Sequence, residues 1–204
     1  MKDARRATRK AAASANGEPA AANGKRAAQP PRAPRARKQS PLHIEEAIER
    51  LQLEAVRRLL REYLPYVVAE FCRGWLTADI AGLPGAYAPP RGRWLLAKWG
   101  RAAVGCVALR PLEEHGIAEI KRLFVRPKWQ GRGIGRGLVL AALEKARELG
   151  YSVVRLDTLP EMEAAIGLYR DLGFREIDPY GPVGDAEVEG ARYFEIDLAD
   201  LAHE

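Results

Sequence analysis

The sequence predicts one mixed α/β domain, with helices on both faces of a sheet that contains a central parallel pair of strands. Residues 119–172 show a β-α-β-α rhythm, and the crossover helix requires the two strands that it joins to run parallel. The strands on either side of this unit are free to pair antiparallel. The chain has 204 residues, 47% of them hydrophobic, which allows one such core and an appendage.

The first 41 residues differ in composition from the rest of the chain. They hold 11 Lys or Arg against 2 Asp or Glu, a net charge of +9, whereas residues 42–204 hold 22 against 25, a net charge of −3. Apart from Met1, this tail has no Leu, Ile, Val, Met or aromatic residue. Such a segment cannot offset its ordering entropy. We therefore expect residues 1–41 to be a disordered basic tail and residues 42–204 to be the folded domain.

Three roles of the basic tail stay open. Positive clusters such as Arg35, Arg37 and Lys38 suit non-specific contact with a polyanion, because counterion release requires only positive charge. The alternatives are a solubilising tail and an organellar targeting segment, the latter disfavoured by the prolines of residues 30–41. No apolar run approaches the roughly 20 residues that cross a bilayer, and the N-terminus lacks the apolar stretch of a secretory signal. We expect no membrane partner and a cytoplasmic location.

Two helices are predicted at the start of the folded part. From Leu42, apolar residues recur at helical spacing and predict an amphipathic helix that ends at Pro65. A second apolar stretch, residues 66–76, predicts another short helix, and the glycines and prolines of residues 82–92 predict a loop. The apolar stripe of the first helix consists of Ile44, Ile48, Leu51, Ala55 and Leu59.

The strands of the predicted sheet follow this loop. Residues 93–98 and 102–109 predict an antiparallel hairpin around Gly100, and residues 119–125 predict the first strand of the parallel pair. The glycine-rich run of residues 130–137 then opens directly into a helix. The remaining predicted elements are the end of that helix at Gly150, a strand at 151–157, a helix that ends at Gly173, and strands at 174–177 and 191–198.

The glycine-rich run predicts an anion-binding turn. A strand that ends in a glycine loop before a helix directs several backbone N–H groups, and the positive end of the helix dipole, to one spot. The dinucleotide motif G-x-G-x-x-G does not fit, because Arg136 stands where the third glycine belongs. The phosphate-loop motif does not fit either, because no Lys-Ser or Lys-Thr follows a glycine at the required distance. Neither NAD nor a nucleoside triphosphate is indicated.

Two motifs together resemble a known family. Residues 130–135 match Q-x-x-G-x-G, and residues 165–174 match A-x-x-x-Y-x-x-x-G-F. At this spacing, the sequence resembles the GNAT superfamily of acyl-CoA-dependent N-acetyltransferases over residues 42–204, most specifically over residues 119–174. The resemblance implies a GNAT-like mixed, mostly antiparallel sheet in which the central parallel pair is splayed around the cofactor, with acetyl-CoA as cosubstrate.

The resemblance also implies a cofactor site made mostly of backbone groups. The main chain of Leu123 and Val125 would pair with the pantetheine arm, with the Val125 N–H donating to the acyl carbonyl. Arg132 and Arg136 either bind the diphosphate or are solvated loop residues. The family often has an asparagine where this chain has Met162, which removes one side-chain contact but no backbone donor. The implied cofactor-binding residues are Leu123, Phe124, Val125, Gln130, Gly131, Arg132, Gly133, Ile134, Gly135 and Arg136.

The implied activity is transfer of an acetyl group from acetyl-CoA to a primary amine by direct attack. Tyr169 matches the family's tyrosine and would protonate the departing thiolate; the alternative is that its ring only packs on the sheet. Glu119 would take the amine proton, through water, or it pairs with a basic neighbour such as Lys121 or Arg122. A small-molecule amine and a protein amine both remain open as acceptors.

Other functions also remain open. The main alternative is a catalytically inactive acyl-CoA-binding sensor or interaction module, and another makes the tail the main functional part. The histidines show no metal-ligand spacing, so no metal is expected, and Cys72 and Cys106 are interpreted as reduced, small hydrophobic residues. A homodimer stays open. The acidic residues Glu113, Glu114, Asp185, Glu187 and Glu189 either favour a cationic acceptor or form a solvated face.

Overall fold

The computed structural model describes residues 42–67, 70–180 and 190–201. The strands are β1 (Leu42–Glu46), β2 (Arg93–Trp99), β3 (Ala102–Pro111), β4 (Ile117–Val125), β5 (Val153–Thr158), β6 (Arg175–Ile177) and β7 (Arg192–Asp197). The helices are α1 (Arg50–Tyr63), α2 (Glu70–Gly82), α3 (Ile134–Glu148) and α4 (Glu163–Asp171). The tail expected at residues 1–41 lies outside the described residues.

These strands form one open mixed sheet. Its order is β1-β2-β3-β4-β5-β7-β6, with β4 and β5 parallel and all other neighbouring strands antiparallel. The predicted fold class, including the central parallel pair and the hairpin at residues 93–109, is confirmed. None of the helices in the described ranges is long and apolar enough to span a bilayer.

The helix predicted from Leu42 onward is wrong over its first residues, which form a strand. Strand β1 pairs with β2, and the side chains of Leu42 and Ile44 point to α3, where they approach Gly137. Helix α1 begins only at Arg50, after Glu49 donates its backbone N–H to the Gln52 side chain over 2.9 Å. Leu42 and Ile44 alternate with polar residues, which is the period of a strand. Ile44 also lies four residues before Ile48, which is helical spacing, so the two periods could not be separated.

The buried face of α1 also differs from the predicted stripe. Ile48 is 54% exposed and Leu51 82% exposed, because both precede the part of the helix that crosses the sheet. The helix ends at Tyr63, just before Pro65, as predicted. The second helix was predicted at residues 66–76 but runs over Glu70–Gly82, because a short 3-10 turn at Leu64–Tyr66 follows first. The buried face of α1 consists of Ala55, Val56, Leu59 and Leu60.

Each face of the sheet has its own hydrophobic core. On one face, α3 and α4 cover side chains such as Leu95, Val107 and Ile120. On the other face, α1 and α2 cover the alternate side chains, among them Leu96 and Phe124. The two sets alternate along each strand because successive residues point to opposite faces. The sheet is thus covered by helices on both sides.

The parallel pair separates after a short contact. Strand β4 pairs with β5 only at Ile117–Glu119, opposite Val153–Arg155, and both strands then continue without pairing to each other. The splay that the family resemblance implies is therefore present, and it opens a wedge between residues 120–125 and residues 156–158. Strand β7 pairs with β5 on its other side along its whole length.

Candidate active site

The turn between β4 and α3 has the conformation that its glycines predict. Gly131 and Gly133 have φ angles of 71° and 77°, a region that side chains with a Cβ rarely adopt. No atom lies within 4 Å of the position that a Cβ would take at either residue, so the turn is open to a ligand. Gly133 directly precedes α3, whose first turn contains no acidic residue. The N–H groups at the start of α3 are thus available to an anion.

The end of β4 presents backbone groups to the wedge. The Arg126 N–H donates to the carbonyl of Val104 over 2.9 Å, and successive residues of a strand direct their N–H groups to opposite sides. The Val125 N–H therefore points away from β3, toward the gap. The Gln130 side chain donates to the Val125 carbonyl over 3.0 Å, which satisfies the oxygen where β5 has moved away.

Arg132 and Arg136, the two loop arginines, are both exposed beside this turn. The Arg132 guanidinium lies over the ring of Trp129, 5.0 Å from its centroid, and Trp129 packs against Trp99 at 5.4 Å. This cation–π contact holds one guanidinium close to the glycine turn. The binding of a diphosphate by either arginine stays a prediction.

A cleft of about 120 Å³ lies in the wedge between β4 and β5. Strand β4 and the end of β5 form two walls, the start of α4 forms a third, and residues from α1 and α2 close the opposite side. Met162, at the position where the family often has asparagine, also reaches the cleft. The lining side chains include Tyr63, Val67, Cys72, Ile120, Lys121, Arg122, Leu123, Asp157, Thr158, Leu159, Met162, Ala165 and Tyr169.

Tyr169 lines this cleft and is 5% exposed. Burial raises the pKa of its hydroxyl above the ordinary tyrosine value, so the hydroxyl keeps its proton at neutral pH. Its ring also packs against Phe174 and Phe194, with centroids at 5.7 and 6.1 Å. The ring of Tyr169 thus packs on the sheet, as one alternative expected. Tyr169 also lies in the cleft, as its proposed role as a proton donor requires.

Glu119 lies at the point where the strands begin to separate, and it is buried. Its Oε2 accepts from Arg110 Nε at 2.5 Å, and its Oε1 accepts from the Tyr180 hydroxyl at 3.0 Å. Lys121 Nζ is 3.6 Å from the same Oε1. The pairing with basic residues is thus observed, chiefly with Arg110. The role of Glu119 as a proton acceptor stays a prediction.

Arg122 is a cleft residue that sequence reasoning did not single out as part of the site. It has a φ of 58°, and with Leu123 it forms a β-bulge opposite Val107. Its Nε donates to Asp79 Oδ2 on α2 at 2.6 Å, and the Tyr87 hydroxyl donates to the same oxygen at 3.0 Å. This pair ties the bulge of β4 to helix α2.

Asp157 is a second missed residue. It lies near the carboxyl end of β5, it lines the cleft, and its Oδ1 accepts from Lys121 Nζ at 2.6 Å. Its only sequence signal was its place at the end of a strand of the parallel pair, where ligands often bind in α/β sheets. Of the acidic residues weighed for a cationic acceptor, Glu114 pairs with Arg155 at 2.7 Å, and Asp185, Glu187 and Glu189 lie outside the described residues.

Comparison with known proteins decides the family. A sequence profile of the Acetyltransferase (GNAT) family matches residues 53–174. The chain belongs to the GNAT acetyltransferase family. The match covers β2–β5 and the glycine turn, and it ends at Phe174, the last residue of the second motif.

Related sequences and solved structures support the assignment of this chain to the GNAT acetyltransferase family. The chain is 35% identical over 129 residues to an uncharacterized N-acetyltransferase of Schizosaccharomyces pombe, covering 63% of this chain and 79% of that protein. It is 39% identical over 97 residues to an IAA acetyltransferase of Azospirillum brasilense, covering 48% and 63%. The PaiA N-acetyltransferase of Thermoplasma acidophilum, solved with coenzyme A, has the same fold, with a TM-score of 0.61, 18% identity and coverage of 77% and 99%. The protein is an acyltransferase enzyme.

Proposed function

We propose that this acetyltransferase moves an acetyl group from acetyl-CoA to a primary amine. The observation that carries the proposal is the continuity of the open glycine turn, the Val125 N–H that points away from β3, and the wedge lined by Tyr169. The turn suits a diphosphate, and the wedge suits the extended arm that connects it to a thioester. Acetyl-CoA, when bound, supplies an acyl group with a good leaving group.

The chain's own groups match the needs of amine acylation. The Val125 N–H would donate to the carbonyl oxygen as negative charge develops on it. The Tyr169 hydroxyl would give its proton to the departing sulfur. Glu119 is proposed to accept the amine proton through a water molecule, because its carboxylate lies at the closed end of the wedge. The main chain of Leu123 and Val125, with Phe124 between them in β4, would align the arm.

The first test is calorimetric titration of acetyl-CoA into the full chain and into Gly133→Glu. The glutamate places bulk and negative charge in the turn, so we expect binding by the wild type and none by the variant. Gly133→Ala is the matched control: it carries the same backbone strain at φ 77° but no charge, and it should bind more weakly than wild type while still binding. A folded wild type that does not bind acetyl-CoA would contradict the proposal.

With binding established, thiol release in the presence of primary amines measures turnover directly. Each transfer frees one thiol of coenzyme A, so the assay reports acceptor use whatever the acetylated product is. Thiol release that depends on an added amine supports transfer. Release that is independent of every amine tested would indicate thioester hydrolysis instead.

A further inference from the structure

The two strands of the wedge are bridged by one ion pair just beyond their last backbone contact. The last paired residues are Glu119 and Arg155. Two residues further along each strand, on the same face of the sheet, Lys121 Nζ lies 2.6 Å from Asp157 Oδ1. The bridge therefore stands at the closed end of the cleft, among the residues that line it together with Tyr169.

Asp157 is the carboxylate that a molecule in the cleft can reach. Its side chain is 30% exposed, against 4% for Glu119. Glu119 is engaged by Arg110 and Tyr180, and Asp79 by Arg122 and Tyr87. Over residues 42–67, 70–180 and 190–201, Asp157 is the one acidic residue that lines the cleft, and Lys121 is the one side chain that donates a hydrogen bond to it.

Lys121 already places an ammonium group on this carboxylate. The ammonium also lies 3.6 Å from Glu119 Oε1, so a second carboxylate is within reach of a small side-chain movement. Burial opposes the charge of Lys121, but the carboxylates of Asp157 and Glu119 outweigh it and raise its pKa. Lys121 thus stays cationic, so another cation can bind Asp157 only when it displaces the Lys121 ammonium.

We propose that Asp157 binds the ammonium group of the acceptor in place of Lys121. The bound ammonium then loses one proton through water to Glu119, and the neutral nitrogen attacks the acetyl carbonyl. This rests on the proposed function and deepens it by naming the acceptor class: amines that are protonated at neutral pH, such as alkylamines, rather than weakly basic arylamines. Asp157 is partly exposed and lines the same cleft as Tyr169, so an acceptor nitrogen bound to it lies in the cleft that holds the proposed proton donor.

The test compares two probe amines of similar shape and different charge. Thiol release from acetyl-CoA by the full chain is measured at neutral pH with benzylamine, which is an ammonium ion, and with aniline, which is neutral. Asp157→Asn should lower kcat/KM for benzylamine by about 10- to 100-fold, the range of one hydrogen bond to a charged group, and should lower kcat/KM for aniline much less. Lys121→Gln should lower KM for benzylamine, because it removes the competing ammonium.

Matched measurements separate this proposal from the proposed function. Asp171→Asn removes the same charge from the exposed side of α4 and should change neither rate. Acetyl-CoA affinity, measured by calorimetry for each variant, should stay at the wild-type value. An equal loss with both amines, or no loss in Asp157→Asn, would overturn the assignment of Asp157 while leaving acetyl transfer intact. A wild type that binds no acetyl-CoA would instead overturn the proposed function.

Discussion

Tyr169 shows how one side chain can serve both packing and chemistry. Its ring packs against Phe174 and Phe194, and Tyr169 also lines the cleft. Because burial raises the pKa of the hydroxyl, Tyr169 holds its proton over the whole neutral range and is a weaker acid than an exposed tyrosine. A thiolate that leaves inside the cleft would take this proton readily, since the buried thiolate is itself poorly solvated.

Replacement of Tyr169 by phenylalanine separates the two roles. Tyr169→Phe keeps the ring and removes the hydroxyl, so acetyl-CoA affinity and thermal stability should stay close to the wild-type values. Turnover should fall within the range of about 10²- to 10⁴-fold that is typical of general acid–base steps. Steady-state thiol release and calorimetry on the same preparations give both quantities. Unchanged turnover would assign Tyr169 to packing alone and favour a proton donor elsewhere.

The residues of the site were predictable where their signal is local. Gln130 and Gly133 lie in one short motif that combines a strand end, a turn and a helix start, and the sequence shows all three parts. Asp157 and Lys121 are 36 residues apart, and their contact depends on how far β4 and β5 diverge. Glu119 was predictable as a charged residue at the start of the wedge, but not its partner Tyr180, 61 residues away.

At the scale of the elements, β3 and the end of β4 approach each other closely at Gly105. Gly105 of β3 pairs with Val125, and a Cβ at this position would lie 2.7 Å from the carbonyl oxygen of Phe124. It would also lie 3.1 Å from the Leu138 side chain of α3. A glycine is thus required here, because strand and helix meet with no room for a methyl group.

Substitution of Gly105 by alanine should therefore cost about 1–3 kcal/mol of unfolding free energy, the usual range for overpacking. Urea denaturation followed by tryptophan fluorescence measures it. Gly167→Ala is the matched control, because Gly167 lies within α4 and a Cβ there meets no atom within 4 Å. That variant should gain roughly 0.5–1 kcal/mol from helix propensity. Equal effects of the two substitutions would contradict the close contact at Gly105.

The elements were predicted best where the hydrophobic pattern agrees with the positions of the glycines and prolines that end helices and strands. The end of helix α3 before Gly150 was predicted, whereas the helix begins at Ile134, inside the glycine-rich run that was expected to precede it. Strand β1 was missed because five residues are too few to separate a strand period from helical spacing, and its pairing with β2 spans about 50 residues of chain. The start of α2 was displaced because Pro65 induces a 3-10 turn before the next helix.

Over the whole molecule, buried tyrosines make stability sensitive to alkaline pH. Burial raises the pKa of Tyr63, Tyr87, Tyr169 and Tyr180, whereas in the unfolded chain they titrate near pH 10. A group whose pKa is higher in the folded state contributes stability that is fully present below the unfolded pKa and is lost as pH rises above it. Tyr87 and Tyr169 belong to the cores on opposite faces of the sheet, and Tyr63 and Tyr169 line the cleft.

The unfolding free energy should therefore fall steeply between about pH 10 and pH 11, by up to about 1.4 kcal/mol per pH unit for each tyrosine that stays protonated in the folded state. Urea denaturation at a series of pH values gives the slope, and tyrosinate absorbance in the folded state reports which rings titrate. A stability that is constant through this range would contradict the burial of these hydroxyls.

The charge of the chain is divided between its two parts. Residues 42–204 carry −3 and residues 1–41 carry +9, so the proposed non-specific contact with a polyanion is assigned to residues 1–41. That role of the tail stays a prediction. It is independent of the acetyl-transfer proposal, because the residues that line the cleft lie at positions 63–191.

The ion pair between Arg122 and Asp79 limits which segments can be exchanged between related acetyltransferases in a chimera. Arg122 occupies a backbone conformation that glycine adopts more easily, and the partner that holds it there lies on a different element, α2. A chimera that receives α2 from another acetyltransferase without the aspartate would keep the strained arginine and lose its anchor. Helix α2 and the bulge at Arg122 must therefore be exchanged together. A chimera would acquire the acceptor preference of another α2 only if the bulge came from the same relative.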